Sequence, residues 1–200
     1  MVERRELDRG FAELPGLTRS PLLDTPAAAL NQAFAWAVRR DAAGVRADPG
    51  AGLPDWGADE FAELLDRVRS FRRIGSAAAP EPSWLLREVV AGLFGVRADA
   101  EGGRFELRPW LPEGWRSLAL RRLRCHRTLL DVLVRVRADW TTVRLELSFG
   151  PPIPLSVGLR NGRTIAQITI DEIPLDGGRA VFTLRGRHEV MFFFRGEDSC

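Results

Sequence analysis

Residues 92–115 read GLFGVRADAEGGRFELRPWLPEGW, and they stand where the spacing of apolar residues changes from helical to strand-like. Just upstream, Val89, Val90, Leu93 and Phe94 close a helical run, while just downstream Phe105 and Leu107 flank Glu106 in strand alternation. Gly102-Gly103 and Leu111-Pro112-Glu113-Gly114 are turn signals around that first strand, with Trp110 and Trp115 bracketing the second turn. Nearly everything before the stretch reads as helix and nearly everything after it as β-sheet. The expected class is α+β, three N-terminal helices packed against a C-terminal antiparallel β-sandwich, with residues 1–95 a helical region and 96–200 the sandwich.

Working back toward the N-terminus, the apolar helix that runs into the stretch spans about 83–94. Trp84, Leu85, Leu86, Val89, Val90, Leu93 and Phe94 leave it almost no polar face, so it belongs between the other helices and the sheet. A Ser-Ala-Pro linker, 76–82, separates it from a helix at about 58–74 with Phe61, Leu64, Leu65, Val68 and Phe71 on one stripe. Acids crowd the first turns of that helix and Arg the last, which suits the helix dipole, and Gly75 is placed to end it. Residues 41–57, with four Gly and two Pro, form a loop. Thr25-Pro26 opens the first helix, about 26–40, because Thr caps well and Pro at the first helical position loses no hydrogen bond. Residues 1–23 carry scattered apolar side chains broken by Pro15, Gly16 and Pro21 and read as an extended arm or a strand packed on something else.

Working forward, about eight short segments follow with turns between them. Val132, Val134 and Val136 alternate with Leu133, Arg135 and Arg137; Val143, Leu145 and Leu147 alternate with Arg144, Glu146 and Ser148. That is the pattern of half-buried antiparallel strands. Asn161-Gly162 is a hairpin signal, since a tight turn with positive φ at both central residues favours this pair, and Asp176-Gly177-Gly178 is a further turn. Short strands at this spacing imply a sandwich of about ninety residues.

Composition bounds the function. Two hundred residues, 28% charged and 45% hydrophobic, suit a globular chain of one domain or two small ones. All 29 basic residues are Arg, with no Lys and no Tyr, so the pI near 9.0 reflects coding bias before it reflects a nucleic-acid partner. The one basic cluster, Arg116 to Arg124, reads as the polar face of a strand. Two cysteines, Cys125 and Cys200, make no disulfide framework. The N-terminus has mixed charge with no signal-peptide core, and no stretch approaches the ~18 apolar residues of a membrane span. A cytoplasmic protein is expected, without nucleic-acid or membrane partners.

The wording of 92–115 resembles one place in the bacterial six-hairpin glycosidases of the glycogen-debranching and rhamnosidase-like type. There the last helices of an α/α barrel pass into a C-terminal β-sandwich, and the likeness extends over roughly residues 84–195. Pro26 to Ala37 is similar to the opening barrel helix of the same families. The resemblance implies that most of a barrel is absent, since residues 41–57 stand where it would be. It also implies that Trp110 and Trp115 pin the intervening turn to the sheet. No position matches the catalytic motifs of those families, so no residue is carried over as catalytic.

Cleaving a glycosidic bond needs two carboxyl groups across a sugar. The best local supply is Asp55, Asp59, Glu60 and Glu63, beside Trp56, with Asp59 and Glu63 one helical turn apart. A helix here needs a solvated face and an acidic N-terminus in any case, and that explains these acids without any catalytic role. Of the six Trp, Trp36 and Trp84 fall on apolar helical stripes, Trp140 opens a strand, and Trp56, in a Gly/Pro loop, is the one most open to a ligand. Asp55, Trp56, Asp59 and Glu60 are therefore the candidate carbohydrate-binding residues. Cys125-His126 and His188 lack metal-ligand spacing, no phosphate or nucleotide motif occurs, and no cofactor or metal is expected. The reading is a non-catalytic glycosidase-related protein, an interaction or carbohydrate-associated module. Its possible partners are a carbohydrate, a second copy or another protein on the helical surface. The alternatives are an active glycoside hydrolase with a reduced site and a stand-alone carbohydrate-binding module.

Overall fold

A computed structural model of the chain describes residues 22–40, 57–74, 81–99, 104–125, 127–160 and 162–195. Three helices precede a run of strands, and the class is α+β with a β-sandwich. Helix α1 is Ala28–Arg40 and α2 is Ala58–Ile74. The third, α3, covers Pro82–Arg87 and continues as a π-helical turn, Glu88–Leu93, in which the Phe94 amide donates to the Val89 carbonyl five residues back. In α1 the buried positions are Leu30, Ala33, Phe34 and Ala37. A stripe at every fourth residue drifts off the 3.6-residue period, so Val38 is carried to the rim and two alanines take the core positions. Thr25 accepts the Ala27 amide proton on its Oγ1 at 3.2 Å and is tied to Asn31 by two bonds of 2.8 Å, which fixes the entry to the helix.

The strands are β1 (Leu22–Asp24), β2 (Val96–Asp99), β3 (Arg104–Leu107), β4 (Ser117–Cys125), β5 (Thr128–Val136), β6 (Trp140–Phe149), β7 (Ile153–Val157), β8 (Ile165–Ile170), β9 (Ile173–Leu175), β10 (Ala180–Leu184) and β11 (Arg187–Phe194). They form a seven-stranded sheet in the order β1-β4-β5-β6-β11-β8-β9 and a four-stranded sheet in the order β10-β7-β3-β2. Neighbours are antiparallel except β3 and β7, which run parallel. The short strand β1 pairs with β4, so the end of the N-terminal arm is a sheet edge; the rest of the arm lies outside the described residues. Asn161-Gly162 does not turn a hairpin between its flanking strands, because β7 and β8 belong to different sheets. Gly162 has the expected positive φ of 67°, but the turn carries the chain across the sandwich; Asn161 is outside the described residues.

One hydrophobic cluster runs from Leu30, Phe34, Leu64 and Val68 of the helices through Phe94 and Val96 to Leu120, Val132, Leu145, Leu155 and Phe192 of the sandwich. The helices meet the strands at β1 and β2, the edges of the two sheets at one end of the sandwich. The junction is fastened by backbone and by one Arg. Gly95, at φ 59°, lets the chain leave the helix, and a Cβ there would stand 2.1 Å from the Arg108 carbonyl oxygen. The Arg108 amide donates to Gly95 at 3.1 Å and the Trp110 amide to Leu93 at 2.8 Å. Arg160, in the loop after β7, donates from Nε to the Arg108 carbonyl at 2.8 Å and from its guanidinium to the Gly92 and Ala91 carbonyls, a cation set at the C-terminal end of the helical run. No helix among the described residues is long and apolar enough to cross a membrane.

Candidate functional site

The acids singled out in the sequence sit at the start of α2. Glu60 accepts the Gly57 amide proton at 2.8 Å, the reciprocal half of a capping box, and hydrogen bonds from its own and the Gly57 backbone hold its carboxyl below the ordinary 4.5. Asp59 is exposed in the same turn. Glu63, one turn on, pairs with Arg67 at 2.7 Å on an open helix face. Asp55 and Trp56 lie outside the described residues.

The aromatic residues of the helical half are fixed by packing. Phe61 of α2 meets Trp110 edge-on at 5.7 Å and Trp115 at 5.2 Å, so both tryptophans of the 109–115 turn staple the helix to the sheet. Trp36 and Trp84 are half-buried against the core, each with an Arg guanidinium over its ring at 5.1 Å, Arg40 and Arg67 respectively.

Strand β4 carries the basic cluster, and its register explains which of its residues are buried. Arg122 has φ 59° at a bulge between Leu120 and Leu123, and Asp131 Oδ1 accepts its amide proton at 2.6 Å. The bulge keeps Leu118, Leu120, Leu123 and Cys125 all on the core side. Cys125 is a free thiol, and burial pushes it up to about 12. His188 lies within β11 rather than in the turn before it; its Nδ1 is 2.7 Å from Asp171 Oδ2, and Phe182 of the other sheet packs against its ring at 5.2 Å. His126 is outside the described residues. No group of three or more His, Cys, Asp or Glu that could hold a metal occurs among the described residues.

The alternation along β5, β6, β8 and β11 sorts residues between two faces. Val132, Val134, Val143, Leu145, Ile168, Val190 and Phe192 point into the sandwich and are fully buried. The opposite face of the seven-stranded sheet presents rows of cross-strand partners: Trp140, Phe193 and Gln167; then Arg135, Thr142, Met191 and Thr169; then Leu133, Arg144 and Glu189. Arg144, which the pattern alone assigned to a solvated face, has a side chain only 8% exposed and donates from Nε and a terminal nitrogen to Glu189 Oε2 at 3.2 and 3.0 Å. Its cross-strand partners are Leu133 of β5 and Glu189 of β11. This face carries the ion pair and two register-opposed aromatic residues together, and sequence reasoning missed it because its partners lie far apart in sequence, Trp140 and Phe193 53 residues apart and Arg144 and Glu189 45, and meet only through register.

A sandwich closed at one end by three helices, with a polar and aromatic outer sheet face, is the frame in which the likeness to known proteins falls. Residues 99–161, from the end of β2 through β7, match the C-terminal domain of glycosyl hydrolase family 65. Residues 99–161 are therefore related to a glycosidase C-terminal domain. Among solved structures, a GH127 β-L-arabinofuranosidase from Geobacillus stearothermophilus T6 is similar at 12% identity and a TM-score of 0.36, over 57% of this chain and 19% of that one. A GH30 endoxylanase from Clostridium papyrosolvens C71 is similar at 6% identity and a TM-score of 0.28, over 85% of this chain and 47% of that one. The chain thus spans less than half the length of either solved protein. No curated protein matches it.

Proposed function

We propose that the chain is a non-catalytic, carbohydrate-associated module that descends from the junction of a six-hairpin glycosidase and works in the cytoplasm by binding. The carrying observation is where the glycosidase likeness falls: on residues 99–161, the strands of the sandwich. The acids of α2 are engaged otherwise, Glu60 in capping its own helix and Glu63 in pairing with Arg67. A free, deeply buried Cys125 suits a reducing compartment. The helical surface, with Trp36 and Trp84 under their Arg lids, is the proposed place for a second copy or a partner protein.

The test is a glycan-array screen of the purified chain beside a hydrolysis assay on the same glycans, with light scattering for oligomeric state. Binding without release of reducing sugar supports the reading. Turnover that is lost in Asp59→Asn and Glu63→Gln would replace it with a reduced glycoside hydrolase.

A further inference from the structure

We infer that the outward face of the seven-stranded sheet is a binding platform for a neutral oligosaccharide, with Trp140 and Phe193 stacking on sugar rings and Gln167 and Glu189 holding hydroxyls. This deepens the carbohydrate-associated reading and rests on it. Trp140 and Phe193 are directly opposed on β6 and β11, and Gln167 is opposite Phe193 on β8, so the three form one row across adjacent strands. Strands lie about 4.8 Å apart, which places Gln167 about 10 Å from Trp140. Glu189 is four residues along β11 from Phe193, on the same face, or about 14 Å away at the rise of an extended strand. The platform has the footprint of a short oligosaccharide and exceeds that of one sugar ring.

The chemistry of the row favours a sugar. Pyranose rings present an apolar C–H face and a rim of hydroxyls, so they need a flat aromatic surface flanked by groups that can accept and donate hydrogen bonds. Trp140 and Phe193 are half-buried and supply the surface. Among the described residues, the Trp140 indole N–H, the exposed Gln167 amide and Glu189 Oε1 have no hydrogen-bond partner. Glu189 is held in place by Arg144, which spends two donors on its other oxygen, and by its own amide bond to Asp171 Oδ1 at 2.9 Å. The pair is half-exposed on its Glu189 side, and Arg144 holds that carboxylate in one orientation. Phosphate-bearing ligands fit poorly, because the central cation, Arg144, is already neutralised by Glu189.

The aromatic end is also preorganised. The Arg137 amide donates to the Trp140 carbonyl at 2.8 Å and the Phe194 amide to the Asp139 carbonyl at 3.0 Å. Arg163 donates to the Ala138 carbonyl at 2.7 Å while its guanidinium lies 4.0 Å over the Phe194 ring. The turn that delivers Trp140 is thus tied to β11 from both sides, and little ordering is left for the ligand to impose.

The experiment is isothermal titration of the full chain with maltotetraose, cellotetraose and xylotetraose, repeated on Trp140→Ala, Gln167→Ala, the control Val181→Ala, and Asp59→Asn as the probe of a rival site on α2. Circular dichroism confirms that each variant is folded; Gln167→Ala, at an exposed position, keeps the test valid if Trp140→Ala does not fold. The expected result is binding of at least one tetrasaccharide, weakened about tenfold by Trp140→Ala and severalfold by Gln167→Ala, with Val181→Ala unchanged. Binding that survives Trp140→Ala or Gln167→Ala in folded protein overturns the platform and leaves the carbohydrate-associated reading standing. Loss through Asp59→Asn alone would move the site to α2. No binding of any glycan by the unaltered chain overturns both.

Discussion

Raising the pH should destabilise this protein through a single buried thiol. Cys125 sits at the end of β4, 1% exposed, and burial raises its thiol from the ordinary 9.0 to about 12. The folded chain therefore keeps a proton that the unfolded chain gives up, so the contribution is complete below pH 9 and is lost as pH rises toward the folded value. Working the two titrations against each other gives a loss of about 2.5 kcal/mol by about pH 11. The background is unusually quiet, because the sequence holds no Lys and no Tyr, the residues that titrate in this window in other proteins. Urea denaturation of a Cys200→Ser protein, followed at several pH values between about 8 and 11, reads the slope directly. Cys125→Ala in the same background should begin about 1 kcal/mol less stable, from the small cavity it leaves, and should then hold its stability across the range. A Cys125→Ala protein that loses stability with pH as steeply as its parent would refute the assignment.

Arg160→Ala removes charge-assisted bonds to the Arg108 and Gly92 carbonyls and should cost roughly 3 kcal/mol in a urea melt; Arg160→Lys, which keeps charge but not the planar fork, should recover only part. Gly95→Ala places a methyl group 2.1 Å from the Arg108 carbonyl oxygen on a residue at φ 59°, so it should yield little soluble protein, while Gly178→Ala, where an added Cβ meets nothing, should express normally.

The β-half was legible because strand alternation is local. Val132 and Val134 with Val143 and Leu145 gave the inner face of the sandwich, and the outer face followed by exclusion. Two short strands, β2 and β9, had too few residues to show a period. Along β4 the alternation breaks at the Arg122 bulge, which requires Asp131 from the next strand and so has no signature within β4 itself. Arg160 was missed as the clasp of the junction for a related reason: its acceptors lie 52 and 68 residues away in sequence. Trp140 was noted only as the start of a strand with no aromatic nearby. Its aromatic neighbour is Phe193, which register alone supplies.

The described carboxylates bear on the proposed reading of the chain as a binder. A hydrolase of this chemistry needs one carboxyl kept protonated by burial near neutral pH and a second carboxylate within about 10 Å across the sugar. Glu60 is shifted in the opposite sense, since backbone donors favour its ionised form. Others are engaged with fixed partners: Asp131 with the Arg122 amide, Glu106 with Arg179 at 2.9 Å, Glu189 with Arg144, and Asp171 with the Glu189 amide and His188. The same pairings fix side-chain positions, and a binding platform gains from that: a carboxylate held by Arg144 on one oxygen offers the other in a constant direction, beside Trp140 and Phe193. Acids fixed in this way beside Trp140 and Phe193 suit the proposed platform, in which they would hold sugar hydroxyls.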